Sequence, residues 1–137
     1  MGSYLYVAAG SAAGGLARFV VGGWLQRRLD DWMPRAGALP FPIGTLLVNV
    51  SGSFVLGVLV VAIARRGDGA DALRLLLAVG FCGGYTTFST FSYDTVALME
   101  SGAGTLAATN VAASLALAFL ATFAGVMLGR LLLPVRL

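Results

Sequence analysis

Between Gly80 and Ser92 the chain reads GFCGGYTTFSTFS, the stretch richest in groups that can hold an ion. Gly83-Gly84 weakens a helix entropically, and the β-branched Thr86, Thr87 and Thr90 crowd the turns that follow. Where a helix opens, carbonyls such as those of Gly83 and Thr86 lose their i+4 partners. Carbonyl oxygens are hard ligands suited to a small cation such as sodium or potassium, and discontinuous transporter helices use them in this way. Beyond the break, free amides at the start of the second half-helix favour an anion. Phe88 and Phe91 stand on one face of that half-helix. An aromatic ring has a negative face and a positive edge, so ring edges beside an asparagine donor give a desolvated anion weak positive contacts without a fixed charge. Two phenylalanines at this spacing also fit an ordinary packed core.

Two polar stripes lie on neighbouring segments. Thr45, Asn49 and Ser53 are spaced by four and share a helix face. Serine and threonine in lipid often bond back to their own helix carbonyls, which accounts for Thr45 and Ser53. Asn49 needs more, because an unpaired amide in hydrocarbon costs several kcal/mol. It is either hydrogen-bond glue between helices or a ligand of a pathway. Asn110, Ser114, Ala118 and Thr122 form a second stripe, interrupted at Ala118, about 18 Å long at the helical rise. Arg18 lies within an apolar segment, where it either snorkels from a tilted helix or lends charge to a water-filled vestibule.

The elements that must carry these residues are membrane spans. Of 137 residues 58% are hydrophobic, 11% are charged and 19 are glycine, and mean hydropathy is +0.89. Soluble domains carry charge at about a quarter of positions. Four apolar stretches near or above the roughly 20 residues needed to cross a bilayer are expected at about 4–25, 42–64, 73–99 and 105–133. Residues 1–17 lack the basic start of a signal peptide, so the first stretch reads as a span. The expected fold is an all-α membrane protein of four helices, the third broken near the midplane, forming one four-helix unit over 1–137. Open backbone is tolerated at that depth only where protein buries it or where it lines a cavity.

Charge brackets these spans. Arg65, Arg66, Arg74, Arg130 and Arg136 fall on the side of the termini, against Arg27, Arg28 and Arg35 opposite. That small surplus leans towards cytoplasmic termini or allows insertion both ways. The pI near 9.6 comes from these flanks, which argues against a nucleic-acid partner. Cys82 is alone and histidine is absent, so an intramolecular disulfide and the usual metal clusters are excluded. With neither histidine nor lysine to act as a base within the spans, an enzyme is not expected. Glycine pairs at Gly10/Gly14 and Gly125/Gly129 favour close helix packing. Four short spans leave little room for a pore in one copy. An antiparallel homodimer in the bilayer would bring both broken helices together.

Over essentially its whole length the chain resembles the CrcB/Fluc fluoride channels of bacteria and archaea. The residues that carry the resemblance are GGLAR (14–18), GTLLVNVSGSF (44–54) and GFCGGYTTFSTFS (80–92). It implies a dual-topology dimer in the bacterial plasma membrane that exports fluoride passively, with two pathways and a central structural sodium ion. By the same resemblance Gly83 and Thr86 supply sodium-binding carbonyls from both protomers. Asn49, Phe88, Phe91, Thr90, Asn110 and Ser114 fall along the fluoride pathway, and Arg18 at its vestibule. Tyr85 stands where an apolar residue is usual, Ala118 where some members carry a hydroxyl, and Asp94 where glutamate is common. The last difference is expected to matter little. Three alternatives stand beside this reading. One is a heterodimer with a paralogous chain. Another is a small multidrug exporter, which needs a membrane-embedded carboxylate that no mid-span position supplies. The third is a non-conducting membrane subunit whose polar stripes are interhelical glue.

Overall fold

Pro34, Pro40 and Pro134 lie outside the long apolar runs, and Pro42 stands at the very start of one. Those runs wind into four helices able to cross a membrane in a computed structural model describing residues 2–37 and 39–133. Arg136 and the end of the 1–137 unit lie outside the described residues. The chain is a multi-pass membrane protein.

The first helix spans Gly2–Leu29 and ends on Arg27 and Arg28, whose charge suits the negative end of a helix. Arg28 lies over the Trp24 ring, 5.9 Å from its centre. A short turn, Asp30–Trp32, leads into a two-stranded antiparallel hairpin pairing Arg35–Ala36 with Leu39–Pro40. Arg35 closes it onto Asp30 at 2.8 Å. Gln26 joins this connection to the next helix. Its Nε2 donates to the Phe41 carbonyl at 3.0 Å, and its Oε1 accepts the Gly44 N–H at 2.9 Å.

The second helix, Ile43–Ala64, starts after Pro42 and packs most extensively on the fourth, Gly104–Leu132. Glycine makes this approach possible. A side chain at Gly57 would strike the Thr122 carbonyl, and one at Gly125 would strike that of Phe54. The first helix packs on the start of the third span by the same device, since side chains at Gly10 and Gly14 would meet the carbonyls of Leu76 and Phe81. Both glycine pairs therefore serve packing within one protomer. The interior is small, with Leu46, Val48, Cys82, Leu98 and Ala107 buried. Large apolar side chains such as Phe19, Phe119 and Leu131 face outward, as a protein solvated by lipid requires.

The third span, Asp71–Glu100, is not one regular helix. After a turn of α-helix at Asp71–Leu73, residues Arg74–Cys82 take the wider π winding, and Gly83–Tyr85 return to α. Helical winding stops there and resumes at Phe88–Glu100. A tight turn with Gly102 at φ +80° then reverses the chain into the fourth helix.

Candidate functional site

The interruption is built by two threonines in extended conformation. Thr86 has φ −81° and ψ 159°, and Thr87 has φ −152° and ψ 118°. Thr86 closes the first half-helix, its N–H and Oγ1 both donating to the Cys82 carbonyl at 3.0 and 2.9 Å. Thr87 opens the second half. Its Oγ1 accepts the Thr90 N–H at 3.2 Å, an N-cap of the kind hydroxyl residues make.

The peptide groups of Thr87 are satisfied from the second helix. Asn49 Oδ1 accepts the Thr87 N–H at 2.7 Å, while Asn49 Nδ2 donates to the Thr87 carbonyl at 3.0 Å. The carboxamide thus replaces the helical bond that the Thr87 N–H gives up. It also adds a second donor to a carbonyl that, as the N-cap's, already accepts the first bond of the following helix, and one Nδ2 hydrogen remains. The Thr87 N–H would otherwise close on the Gly83 carbonyl, which is left without its helical partner. Gly83 is exposed, with nothing within 4 Å of where a side chain would stand. The Thr86 carbonyl accepts from Arg18 Nη1 at 3.1 Å. Arg18 therefore reaches across to the break rather than out to a membrane surface.

Two cavities flank this interruption, and Thr87 lines both. The larger, about 820 Å³, is lined among others by Arg18, Arg27, Thr45, Thr90 and Asp94. The smaller, about 240 Å³, brings together Asn49, Ser53, Phe88, Phe91, Ser114 and Ala118. The Phe88 and Phe91 ring centres lie 5.4 Å apart with planes tilted by 48°. Phe88 is 75% exposed, so its ring is available to whatever covers this face. Ser114 Oγ is buried and has no hydrogen-bond partner. Buried polar atoms almost always have one, so this hydroxyl points to a polar occupant of the cavity.

The sequence-derived candidates thus separate into groups. Asn49, Phe88, Phe91, Ser114 and Thr86 share the smaller cavity, while Arg18 and Thr90 face the larger. Asn110 lines neither. It is 2% exposed and donates through Nδ2 to Thr95 Oγ1 at 2.9 Å.

Sequence reasoning overlooked two participants. Asp94, expected to matter little, lines the larger cavity and accepts the Thr45 hydroxyl at 2.8 Å. Thr45 therefore does not bond back to its own helix. Its partner Asp94 follows Thr90 by one turn, and that spacing was the available signal. By sequence Thr87 only crowds the turn, yet its peptide and hydroxyl organise the interruption. Tyr85, the departure from apolar residues, places its hydroxyl 3.1 Å from Ser51 Oγ and stacks on Phe81 at 5.8 Å.

A family model described as "CrcB-like protein, Camphor Resistance (CrcB)" matches residues 5–126. A protein of Agrobacterium fabrum named "Fluoride-specific ion channel FluC" is 47% identical over 124 residues, covering 90% of this chain and 93% of its own. A protein of the same name from Rhizobium johnstonii is 43% identical over 128 residues, covering 93% of this chain and 96% of its own. A third of that name, from Methylococcus capsulatus, is 45% identical over 128 residues, and the chain spans 53% of its length.

Proposed function

Because the chain belongs to the CrcB-like family, one of ion channels rather than enzymes, we propose that it is a fluoride channel that lets fluoride leave the cytoplasm down its gradient. The observation that carries this reading is the partnerless Ser114 hydroxyl, buried in one cavity with the Asn49 amide and the Phe88–Phe91 ring pair. Fluoride is small and strongly hydrated, so a pathway must replace its water with several donors without holding it too tightly to leave. The spare Asn49 hydrogen, the Ser114 hydroxyl and the ring edges are all neutral donors of that kind. Arg18 and Thr90 belong to the entry. The larger cavity carries Arg18 and Arg27 against Asp94, a positive balance that attracts anions.

The same balance disfavours the multidrug exporter. Asp94 is an acid beside a cavity, but arginines share that cavity and its oxygen already accepts from Thr45. A cationic drug would meet repulsion there. Two copies inserted antiparallel would cover the exposed Phe88 face and give one pathway along each side of the break, near the membrane midplane. A heterodimer with a paralogous chain has the same architecture.

A central sodium ion fits the chemistry of the break. The Gly83 carbonyl lacks its helical partner and stands open, and the Thr86 carbonyl keeps a second lone pair beside the one that Arg18 takes. These oxygens from two protomers would hold it, and when bound it supplies a fixed positive charge beside both pathways.

The reading is tested by growth. A bacterium deprived of its own fluoride exporter, expressing this chain alone, is expected to grow in fluoride that stops the parent. Continued arrest despite the chain's presence in the membrane would contradict export by this chain alone.

A further inference from the structure

We propose that Thr95 and Asn110 form a register pin between the second half of the third span and the fourth helix, and that this pin sets Ser114 against Phe91. Nothing in the channel reading assigns a role to Thr95, and the pin's role in conduction rests on that reading. Asn110 Nδ2 donates to Thr95 Oγ1 at 2.9 Å, and Thr95 Oγ1 donates to the Phe91 carbonyl at 2.8 Å. Asn110 is thereby linked, through one hydroxyl, to the backbone of a ring residue of the smaller cavity.

The spacing gives the link its consequence. The two helices run antiparallel, joined by the turn at Ser101–Ala103. Stepping one turn from Thr95 towards the break reaches Phe91, and stepping one turn along the fourth helix from Asn110 reaches Ser114. The pair that is hydrogen-bonded therefore dictates the pair that lines the cavity, and Phe91 and Ser114 do share it. Towards the turn, buried Leu98 and Ala107 continue the same seam.

The fourth helix is rich in alanine around this link. Around Asn110 it presents Ala107, Ala108, Ala112, Ala113 and Ala116, small residues over which a neighbour can slide with little loss of packing. Helices in lipid have no hydrophobic drive to choose one register, so packing and polar pairs decide. A single buried asparagine sets register in coiled coils for the same reason. Thr105 and Thr122 lie elsewhere on the helix, and Thr122 Oγ1 bonds back to the Ala118 carbonyl at 2.9 Å. Asn110 thus acts as a positioning residue, through Thr95, and not as a ligand of the ion.

The test uses the purified full chain in liposomes, with Thr95→Val, Asn110→Leu, the double variant and Thr95→Ser. Two quantities are read: the fraction of liposomes that release fluoride, which reports folded channels, and the release rate per active liposome, which reports positioning. Loss of one interhelical hydrogen bond is expected to slow the rate about tenfold in each single variant. The double variant should be within about twofold of either single, because both break the same link. Thr95→Ser keeps the hydroxyl and should conduct like the parent. A parent-like rate in Thr95→Val would overturn the pin, as would slowing in Asn110→Leu alone, which would make Asn110 a direct ligand.

A second readout does not depend on conduction. In a Cys82→Ser background, cysteines replacing Phe91 and Ser114 should be joined by an oxidant, and adding Thr95→Val should abolish the product. Unchanged joining overturns the pin. Joining that follows the prediction in a parent that carries no fluoride supports the pin and refutes the channel reading.

Discussion

Asn49→Ala is expected to stop fluoride flux and to weaken the fold together. The Asn49 side chain bonds both peptide groups of Thr87, at 2.7 and 3.0 Å, where helical winding of the third span is interrupted. Alanine leaves the Thr87 N–H unpaired beside an apolar interior and takes one of two donors from its carbonyl, at a cost of about 1–3 kcal/mol for the N–H where water cannot reach. Flux should fall at least about a hundredfold, since a displaced Thr87 peptide moves the start of the half-helix bearing Phe88 and Phe91. Asn49→Asp separates the two roles. Its carboxylate still accepts the Thr87 N–H but cannot donate to the carbonyl, and its charge repels an anion. It should therefore be the better folded of the two and equally silent. Fluoride-electrode traces, paired with the temperature at which the detergent-solubilised protein unfolds, give both quantities. Parent-like flux in Asn49→Ala would show that neither the brace nor the amide donor matters.

Phe88→Ala is expected to stop flux while leaving the fold nearly untouched. The ring is 75% exposed on the protomer, so little packing within the chain is lost. Yet it lines the smaller cavity and makes a tilted pair with Phe91 at 5.4 Å. On the proposed pathway, removing the ring deletes edge hydrogens that would replace fluoride's water and opens the cavity to bulk solvent. A loss of at least about tenfold follows from the modest energy of an aromatic edge contact, and flooding of the cavity adds to it. Phe88→Leu makes the test sharper, because leucine restores most of the bulk without a ring quadrupole. If ring edges contact the ion, leucine should conduct as poorly as alanine. Parent-like flux with leucine would reduce the ring to a spacer.

The spans were readable because charge gathers at their ends and proline stays out of their interiors, both consequences of having lipid as solvent. The sequence places an opening at Gly83-Gly84 and the threonines after it, whereas Gly83–Tyr85 are helical and winding is interrupted at Thr86 and Thr87. The π winding of Arg74–Cys82 left no trace in sequence, because an apolar run looks the same at either pitch. Asn49 and Ser114 could be singled out because each interrupts an apolar face with a group that needs a partner. What the stripe on the fourth helix could not reveal is that Asn110 and Ser114, one turn apart, meet different surroundings. Asn110 faces Thr95 on the neighbouring helix, whereas Ser114 opens on a cavity. The same limit applied to Thr45. Bonding back to its own helix was a sound local expectation, as Thr109 and Thr122 do, but Asp94 comes within reach only in the fold.

The most direct measurement is fluoride and chloride release from liposomes containing this purified chain and no other protein. Rapid fluoride release with little chloride leakage is the predicted result, and it would establish a channel that needs no second gene product. Well-folded protein that releases no fluoride, or that releases chloride equally fast, would contradict the account.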